Sequence, residues 1–237
     1  DTAAVSVLPN GVLDLATNNK SDRIATLWLG VGGSSSAQVA TGTGVLALNP
    51  TGDTTGYFTL TYVDGGTTWD PATISGNIDL ASPQMPRTRR WFKVMDSPAS
   101  AELVVSANII GQGGLEKSGQ GTLVLAGANT YTGDSVVNEG LLMIASDSAL
   151  GSAADGTVVE WGAAVGFMGG INYTGAEALT LASGGSQSFV GGTAVVTPVL
   201  FNYAGNNTFA GPITVNYAST FISNAAGNTL TLSGNMA

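Results

Sequence analysis

Cysteine and histidine are both absent from the 237 residues of this sequence. Without cysteine, the chain has no disulfide framework, no thiolate metal site and no cysteine nucleophile. Without histidine, it lacks the commonest general base and metal ligand, which excludes Ser-His-Asp triads and HExxH zinc sites. Most familiar hydrolase chemistry is therefore unavailable, and we expect no catalytic residues, no metal and no cofactor.

Charged residues are scarce, at 10% of the chain, and give a formal net charge of −9. A nucleic-acid partner needs a basic face that releases counterions, so we expect no DNA or RNA binding. No run reaches about 18 uninterrupted apolar residues, so we expect no membrane-spanning helix. The chain opens at Asp1 without a leader, which is typical of a processed product or a fragment.

Apolar residues alternate with small or polar ones in short runs, such as GTLVLAG at 121–127 and LLMIAS at 141–146. Clusters of Gly, Asn, Asp, Ser and Thr between the runs are typical of turns. No segment shows the i, i+3, i+4, i+7 spacing of an amphipathic helix. The sequence therefore predicts an all-β protein with little or no helix.

Short units also recur along the chain. One unit, NTYTG at 129–133, returns as INYTG at 171–175 and NTFAG at 207–211. Repeats of short strands are typical of a solenoid, although a β-sandwich shares the alternation and the frequent turns. Two repeat positions favour a β-helix, and we expect their residues to lie on distant coils: Leu46, Leu123 and Leu230 at one, and Asn77, Asn108 and Asn235 at the other. With roughly 20 to 25 residues per coil, the chain predicts about ten coils.

The strongest repeat core lies at residues 101–146. It contains a glycine-rich pattern formed by Ile110, Gly113, Gly114, Leu115, Lys117, Gly119, Gly121, Thr122, Leu123, Leu125, Gly127, Asn129, Thr130, Tyr131 and Gly133. With this pattern, the stretch resembles the autotransporter-associated β-strand repeat, also called the passenger-associated transport repeat. We expect residues 1–237 to form a single repeat array, with a candidate loop insertion at 83–98, where the resemblance is weakest.

The resemblance implies a right-handed parallel β-helix that is exported and displayed on the surface of a bacterium with an outer membrane. It also implies a non-enzymatic structural role, as a rod or fibre segment that supports display, adhesion or filament assembly. The ends of such a solenoid present unpaired backbone groups. We therefore expect neighbouring repeats, or copies of the chain stacked end to end, to cover them.

The segment RTRRWFK at 87–93 is basic within an otherwise acidic chain. Arginine pairs bind carboxylates, sulfates or phosphates, and an adjacent Trp stacks on sugars or cations. The candidate contact residues, for anionic polysaccharide, lipopolysaccharide or an acidic subunit, are Arg87, Arg89, Arg90, Trp91 and Lys93. The alternative is a strand at 90–95 with Arg90, Phe92 and Val94 on one face, Trp91, Lys93 and Met95 on the other, and solvated arginines.

Other polar and aromatic residues each have a functional and a structural interpretation. Asp64 and Asp70 flank Trp69 and could serve a carbohydrate-active β-helix, although exposed turn residues are the commoner explanation. Lys117 is either a ligand contact or, as we expect, a solvated turn residue. For the remaining residues we favour structural roles, which are a corner or core position for Tyr131 and Phe209 and turn formation for Asn129, Asn172 and Asn207.

Overall fold

The computed structural model describes residues 3–32, 35–48, 59–60, 70–80, 89–97, 100–152, 155–182, 186–190, 193–216 and 222–237. Within these ranges the regular structure is all β-strand, and no helix occurs. It follows that no helix in the described part of the chain is long and apolar enough to cross a membrane. Short runs of alternating apolar and polar residues, separated by turn residues, explain this secondary structure.

The strands are short, with two to six residues each. In chain order they are β1 (Ala4–Val7), β2 (Val12–Asp14), β3 (Asp22–Arg23), β4 (Thr26–Leu29), β5 (Gln38–Ala40), β6 (Leu46–Ala47), β7 (Thr59–Leu60), β8 (Ala72–Ser75), β9 (Asn77–Asp79), β10 (Arg89–Lys93), β11 (Leu103–Val105), β12 (Asn108–Ile110), β13 (Gly114–Ser118), β14 (Thr122–Leu125), β15 (Ser135–Val137), β16 (Gly140–Ile144), β17 (Thr157–Val159), β18 (Ala163–Met168), β19 (Asn172–Tyr173), β20 (Leu179–Leu181), β21 (Ser186–Val190), β22 (Thr193–Thr197), β23 (Leu200–Ala204), β24 (Asn207–Phe209), β25 (Ile213–Val215), β26 (Ile222–Asn224) and β27 (Leu230–Leu232).

Two long parallel sheets run the length of the described structure. The first sheet has the order β1-β4-β7-β10-β13-β15-β17-β20-β25, and the second has the order β2-β5-β8-β11-β14-β16-β18-β23-β26. Each winding of the chain adds one strand to each sheet, so that successive windings hydrogen-bond to one another. This is a parallel β-helix, and it confirms the predicted fold class against the antiparallel sandwich.

The third side of the solenoid changes along its length. It begins as a four-stranded sheet of β12-β9-β6-β3 and ends as a three-stranded sheet of β19-β24-β27. β21 and β22 form an antiparallel pair between β20 and β23. Each long sheet has nine strands among the described residues. The total of about ten coils stays a prediction.

Inward-facing residues of successive strands form rows that make up the core. One row of the second sheet runs through Leu13, Val39, Ile74, Val105, Leu125, Ile144 and Phe167. All of these except Leu13 are at most 1% exposed. Burial of each such side chain stabilises the fold by about 1.5–3 kcal/mol.

The expectation of shared repeat positions on distant coils is wrong in detail. Asn77 and Asn108 are register partners in the neighbouring strands β9 and β12, so they lie on adjacent coils. Leu46 lies in β6 on the third side, whereas Leu123 lies in β14 of the second sheet. The same short pattern therefore serves different sides of the solenoid, because both sides need alternating strands.

Glycine is required where the coils turn between the two long sheets. Gly119 has a φ of 76°, and a Cβ there would lie 2.4 Å from the carbonyl oxygen of Val94. Gly140, one coil further, has a φ of 67° and is equally close to the carbonyl oxygen of Gly119. A side chain at this corner would force the coils apart.

Candidate functional site

The basic segment forms β10, in the middle of the first sheet, between β7 and β13. The predicted alternation is confirmed, because Arg90, Phe92 and Val94 are buried while Trp91 is half-buried and Lys93 is exposed. Part of the candidate loop insertion at 83–98 is thus a strand of the array. Arg87 lies outside the described residues.

The expectation of solvated arginines is wrong for Arg90, which is only 1% exposed. Its Nε donates a hydrogen bond of 2.6 Å to the carbonyl oxygen of Leu48. Strand alternation places Arg90 in the interior, where a main-chain carbonyl satisfies part of the guanidinium. Arg90 is therefore a core residue and is not available to an external ligand.

Arg89 faces outward and is paired with carboxylates of the protein itself. Its Nε and Nη2 lie 3.0 Å from Oδ2 of Asp134, and its Nη1 lies 3.5 Å from Oε2 of Glu116. Gly114 lies next to both Arg89 and Asp134, and a Cβ at this position would come within 3.0 Å of Cγ of Arg89. The hydrogen bond to Asp134 raises the pKa of Arg89. Glu116 also accepts a 2.7 Å hydrogen bond from Nδ2 of Asn138, so this network joins neighbouring coils.

Lys117, in the repeat core, is fully buried, and the expectation of a solvated turn residue is wrong. Its Nζ donates to the carbonyl oxygens of Ser118, Gly119 and Glu139 at 3.1, 2.6 and 2.9 Å. Burial lowers the pKa of Lys117 to about 7, against the opposing charges of Glu139 and Glu102. Lys117 is thus a cap for carbonyls at the corner of two coils. The burial of Lys117 could have been found from its two-residue spacing from Leu115, because residues two apart on a strand face the same side and Leu115 faces the core.

Glu102 accepts hydrogen bonds from backbone amides, whereas Lys117 donates to backbone carbonyls. Nothing in the sequence had indicated this role. Glu102 is 1% exposed and precedes β11. Its Oε2 accepts a 2.6 Å hydrogen bond from the amide of Thr122, and its Oε1 accepts from the amide and hydroxyl of Ser97 at 3.1 Å. The carboxylate therefore satisfies backbone donors of two adjacent coils. A single acidic residue before a strand gives no distinctive pattern.

Two of the three asparagines that we expected to form turns also bridge coils, and Asn207 in addition bonds the local carbonyls of Ala204 and Gly205. Asn129 accepts a 2.9 Å hydrogen bond from the amide of Ile109 and donates one of 2.6 Å to the carbonyl of Ala149. Asn207 accepts from the amide of Ile171 at 2.7 Å. Asn172 is the first residue of β19 and is exposed. Asn129 makes its bridge between β12 and β19, where the described third side has no strand, whereas Asn207 is the first residue of β24.

The aromatic residues have the structural role that we favoured. Tyr131 and Phe209 are fully buried. The Tyr131 hydroxyl lies 2.7 Å from the hydroxyl of Ser135, and the ring of Phe209 lies 5.4 Å from that of Tyr173. These rings fill a corner of the solenoid and offer no platform to a sugar.

Glu177 is a buried carboxyl close to this corner, with an exposure of 1%. Its Oε1 accepts a 2.7 Å hydrogen bond from the hydroxyl of Thr157, and no partner for Oε2 occurs among the described residues. Burial raises the pKa of Glu177 to about 7, more than the Thr157 hydrogen bond lowers it. The group is therefore largely protonated below neutral pH.

The carboxylate pair proposed for carbohydrate chemistry is described only in part. Asp70 is exposed next to β8, and Asp64 lies outside the described residues. In the part of the chain that the structure covers, no group of three or more acidic residues could hold a metal ion. Most of the polar side chains described above form hydrogen bonds with neighbouring coils of the same chain.

Comparisons with known proteins agree with this geometry. The family described as Passenger-associated-transport-repeat matches residues 115–144. The adhesin BmaC autotransporter of Brucella suis biovar 1 (strain 1330) is 36% identical over 100 residues, which are 41% of this chain. The chain spans only 3% of the length of that relative. No solved structure matches the chain significantly.

The family match includes all of β14, β15 and β16 and most of β13, together with Lys117, Asn129 and Tyr131. Lys117 and Asn129 are among the residues whose side chains join one coil to the next. The resemblance and the location that it implies, outside the bacterial cell, are therefore confirmed. Residues 115–144 therefore match a passenger-associated transport repeat, and the similarity to an autotransporter adhesin indicates display at the bacterial cell surface.

Proposed function

We propose that this chain is a stiff, non-enzymatic segment of an adhesive passenger, which holds other parts of the protein away from the cell. The observation that carries the proposal is the continuous hydrogen-bonded stacking of the two long sheets. Side-chain bridges from Asn129, Lys117 and Glu102 add links between coils. A structure in which every coil is tied to the next resists bending, and its length grows with the number of coils.

A pair of deletions tests the structural part of this proposal. Leu115 and Ser135 are register partners, so removal of residues 115–134 takes out one complete coil. We expect the shortened chain to fold and to lose about 4.8 Å of length in small-angle X-ray scattering. Removal of residues 125–134 alone should abolish folding. It joins Val124 to Ser135, which occupy different positions in the repeat of the coil, so the strands that follow lose their register. Equal behaviour of the two deletions would contradict the proposal.

A display experiment tests the spacer role. The chain is placed between a heterologous surface anchor and a binding domain of known target on a laboratory bacterium. Insertion of a second copy of residues 115–134 should raise the binding domain by about one coil without changing its affinity. Beads coated with the chain alone should not hydrolyse polysaccharides. Release of sugar that depends on Asp70 would favour the carbohydrate-active alternative.

Contact between end layers of the solenoid is a second proposal. Leu8 and Val12, in the first described coil, are 71% and 58% exposed, and Met236, at the other end, is 52% exposed. Exposed apolar residues on the end layers favour contact with a neighbouring repeat or a second copy. Sedimentation of the chain should show concentration-dependent association that Leu8→Ser with Val12→Ser abolishes. Monomers at all concentrations would contradict it.

Contact with an anionic polysaccharide or lipopolysaccharide rests on the exposed Lys93 and its neighbour Trp91. Because Arg89 is paired with Asp134 and Arg90 is buried, fewer cations face outward than the sequence indicated. Binding to heparin beads that Lys93→Ser removes would support such a contact. Binding that survives this change would exclude β10 as the site.

A further inference from the structure

The peptide bond between Asp70 and Pro71 lies immediately before β8 and is the sequence's one Asp–Pro bond. An aspartate carboxylate can attack its own main-chain carbonyl carbon through a five-membered ring, which makes the reaction intramolecular and favoured by proximity. The leaving group is the nitrogen of a tertiary amide, which has no N–H and takes no part in the sheet ladder. Asp70 is exposed, so water and protons reach it.

A buried hydroxyl is aimed at the carbonyl of this bond. Ser36 is 2% exposed, and its hydroxyl donates a hydrogen bond to the main-chain carbonyl oxygen of Asp70. The same hydroxyl accepts a hydrogen bond of 3.3 Å from the amide of Gly32. Because the oxygen of Ser36 is occupied as an acceptor, its hydrogen is directed to Asp70, and the two bonds polarise each other.

The sheet fixes the position of this donor. Ser36 precedes β5, which pairs in register with β8, so the hydroxyl and the carbonyl are held on adjacent coils. During attack by the carboxylate, the carbonyl oxygen of Asp70 becomes negatively charged. A preorganised donor at such an oxygen stabilises the transition state.

We propose that the Asp70–Pro71 bond is a self-cleavage site that the hydroxyl of Ser36 activates. A carboxylate oxygen of Asp70 forms a bond to its own carbonyl carbon, and the bond from that carbon to the nitrogen of Pro71 breaks. The nitrogen keeps the electron pair and takes a proton from solvent. Water then opens the cyclic anhydride, so that Asp70 ends with two carboxyl groups and Pro71 becomes a new N-terminus.

The cleaved halves stay associated, because the backbone ladders join coils on both sides of the break. β8 remains bonded to β5 and β11, and β10 remains bonded to β7. The product is therefore a nicked solenoid, and the two fragments separate only when the chain is unfolded.

The test uses the full chain, incubated at about pH 4 to 5, where the departing proline amine is protonated. Denaturing electrophoresis and mass spectrometry should show a fragment that begins at Pro71. Asp70→Ala should give no such fragment. Ser36→Ala should cleave about tenfold more slowly, as expected for one lost donor. Ser35→Ala, at the half-buried neighbouring serine whose hydroxyl bonds Asn10 instead, should cleave at the wild-type rate.

Two further measurements separate activation by the fold from ordinary acid lability. The wild-type chain unfolded in urea at the same pH should cleave about as slowly as Ser36→Ala. Ser36→Thr, which keeps the hydroxyl, should restore the rate if Ser36→Ala disturbs folding, as followed by circular dichroism. The proposal is overturned if folded wild type yields no Pro71 fragment, or if unfolded chain or Ser36→Ala cleaves as fast as folded wild type.

Discussion

The two long sheets share one architecture but have different interiors. The inward row of the second sheet from Leu13 to Phe167 is apolar over seven successive strands. The first sheet instead contains Arg90, Lys117, Ser135 and Thr157 at buried inward positions. The first sheet tolerates these groups because each has a partner, either a main-chain carbonyl or another hydroxyl or carboxyl group.

The difference teaches that a buried charge in a solenoid depends on local partners and not on the fold as a whole. The largest expected effect follows from placing a lysine where partners are lacking. Leu125 lies between Val105 and Ile144 in the apolar row. Leu125→Lys should reduce the free energy of unfolding by about 4 kcal/mol or more, because it buries an uncompensated ammonium.

Urea denaturation of both Leu125→Lys and Leu125→Met measures this effect. Leu125→Met keeps the volume and the apolar surface, so it should cost less than about 1.5 kcal/mol. If lysine costs no more than methionine, the second sheet accepts charge as readily as the first, and the contrast between the sheets disappears.

A pH titration tests a second buried polar group, Glu177, whose partner Thr157 lies in the first sheet. The pKa of Glu177 is about 7 in the native protein and 4.5 as its ordinary value. Below about pH 4.5 the carboxyl is protonated in both states, and its stabilising effect is complete. Between these pH values the unfolded chain releases its proton first, so stability falls by about 3 kcal/mol as the pH rises to 7.

Glu177→Gln is the matched variant, because glutamine keeps the shape and removes the titration. The free energy of unfolding from urea denaturation at pH 4, 5, 6 and 7 should fall in the wild type relative to the variant. Parallel curves for the two proteins would mean that Glu177 is ionised in the native state.

Removal of the buried ammonium should have a smaller effect. Lys117→Met leaves the carbonyls of Ser118, Gly119 and Glu139 without this donor but also removes a desolvated charge. We expect a net loss of about 2 kcal/mol at pH 6. Lys93→Met, at an exposed lysine of the neighbouring strand, is the control and should be neutral. A neutral Lys117→Met would show that the ammonium does not act as a cap.

The sequence predicted the type of fold because alternation and repeated turns are local properties. The repeat core indicated the stacking of coils, and the alternation of β10 placed Arg90 and Phe92 on one face. It did not reveal that this face is the inner one. A polar side chain is usually expected to be exposed, and the hydrogen bond to the carbonyl of Leu48 lowers the cost of burying Arg90.

Contacts between coils were predictable only where the motif is strong. Asn77 and Asn108 lie 31 positions apart, yet they are register partners. Other neighbours, such as Asn129 and Ala149, lie 20 apart. Because coil length varies along the chain, short repeats could not be assigned to coils from spacing alone. Glu102 and Glu177 gave no pattern at all, since each has a partner, Thr122 and Thr157 respectively, on another coil.

The smallest effect is expected on the outer face of the first sheet. Arg89 and Asp134 have side-chain exposures of 39% and 33%, so solvent screens their attraction. Arg89→Ala should therefore cost about 1 kcal/mol or less, and the loss should shrink in 1 M salt. A double-mutant cycle with Asp134→Ala, measured by urea denaturation, isolates the pair. A coupling above about 2 kcal/mol would show that the outer network, and not the buried groups, sets the stability of this sheet.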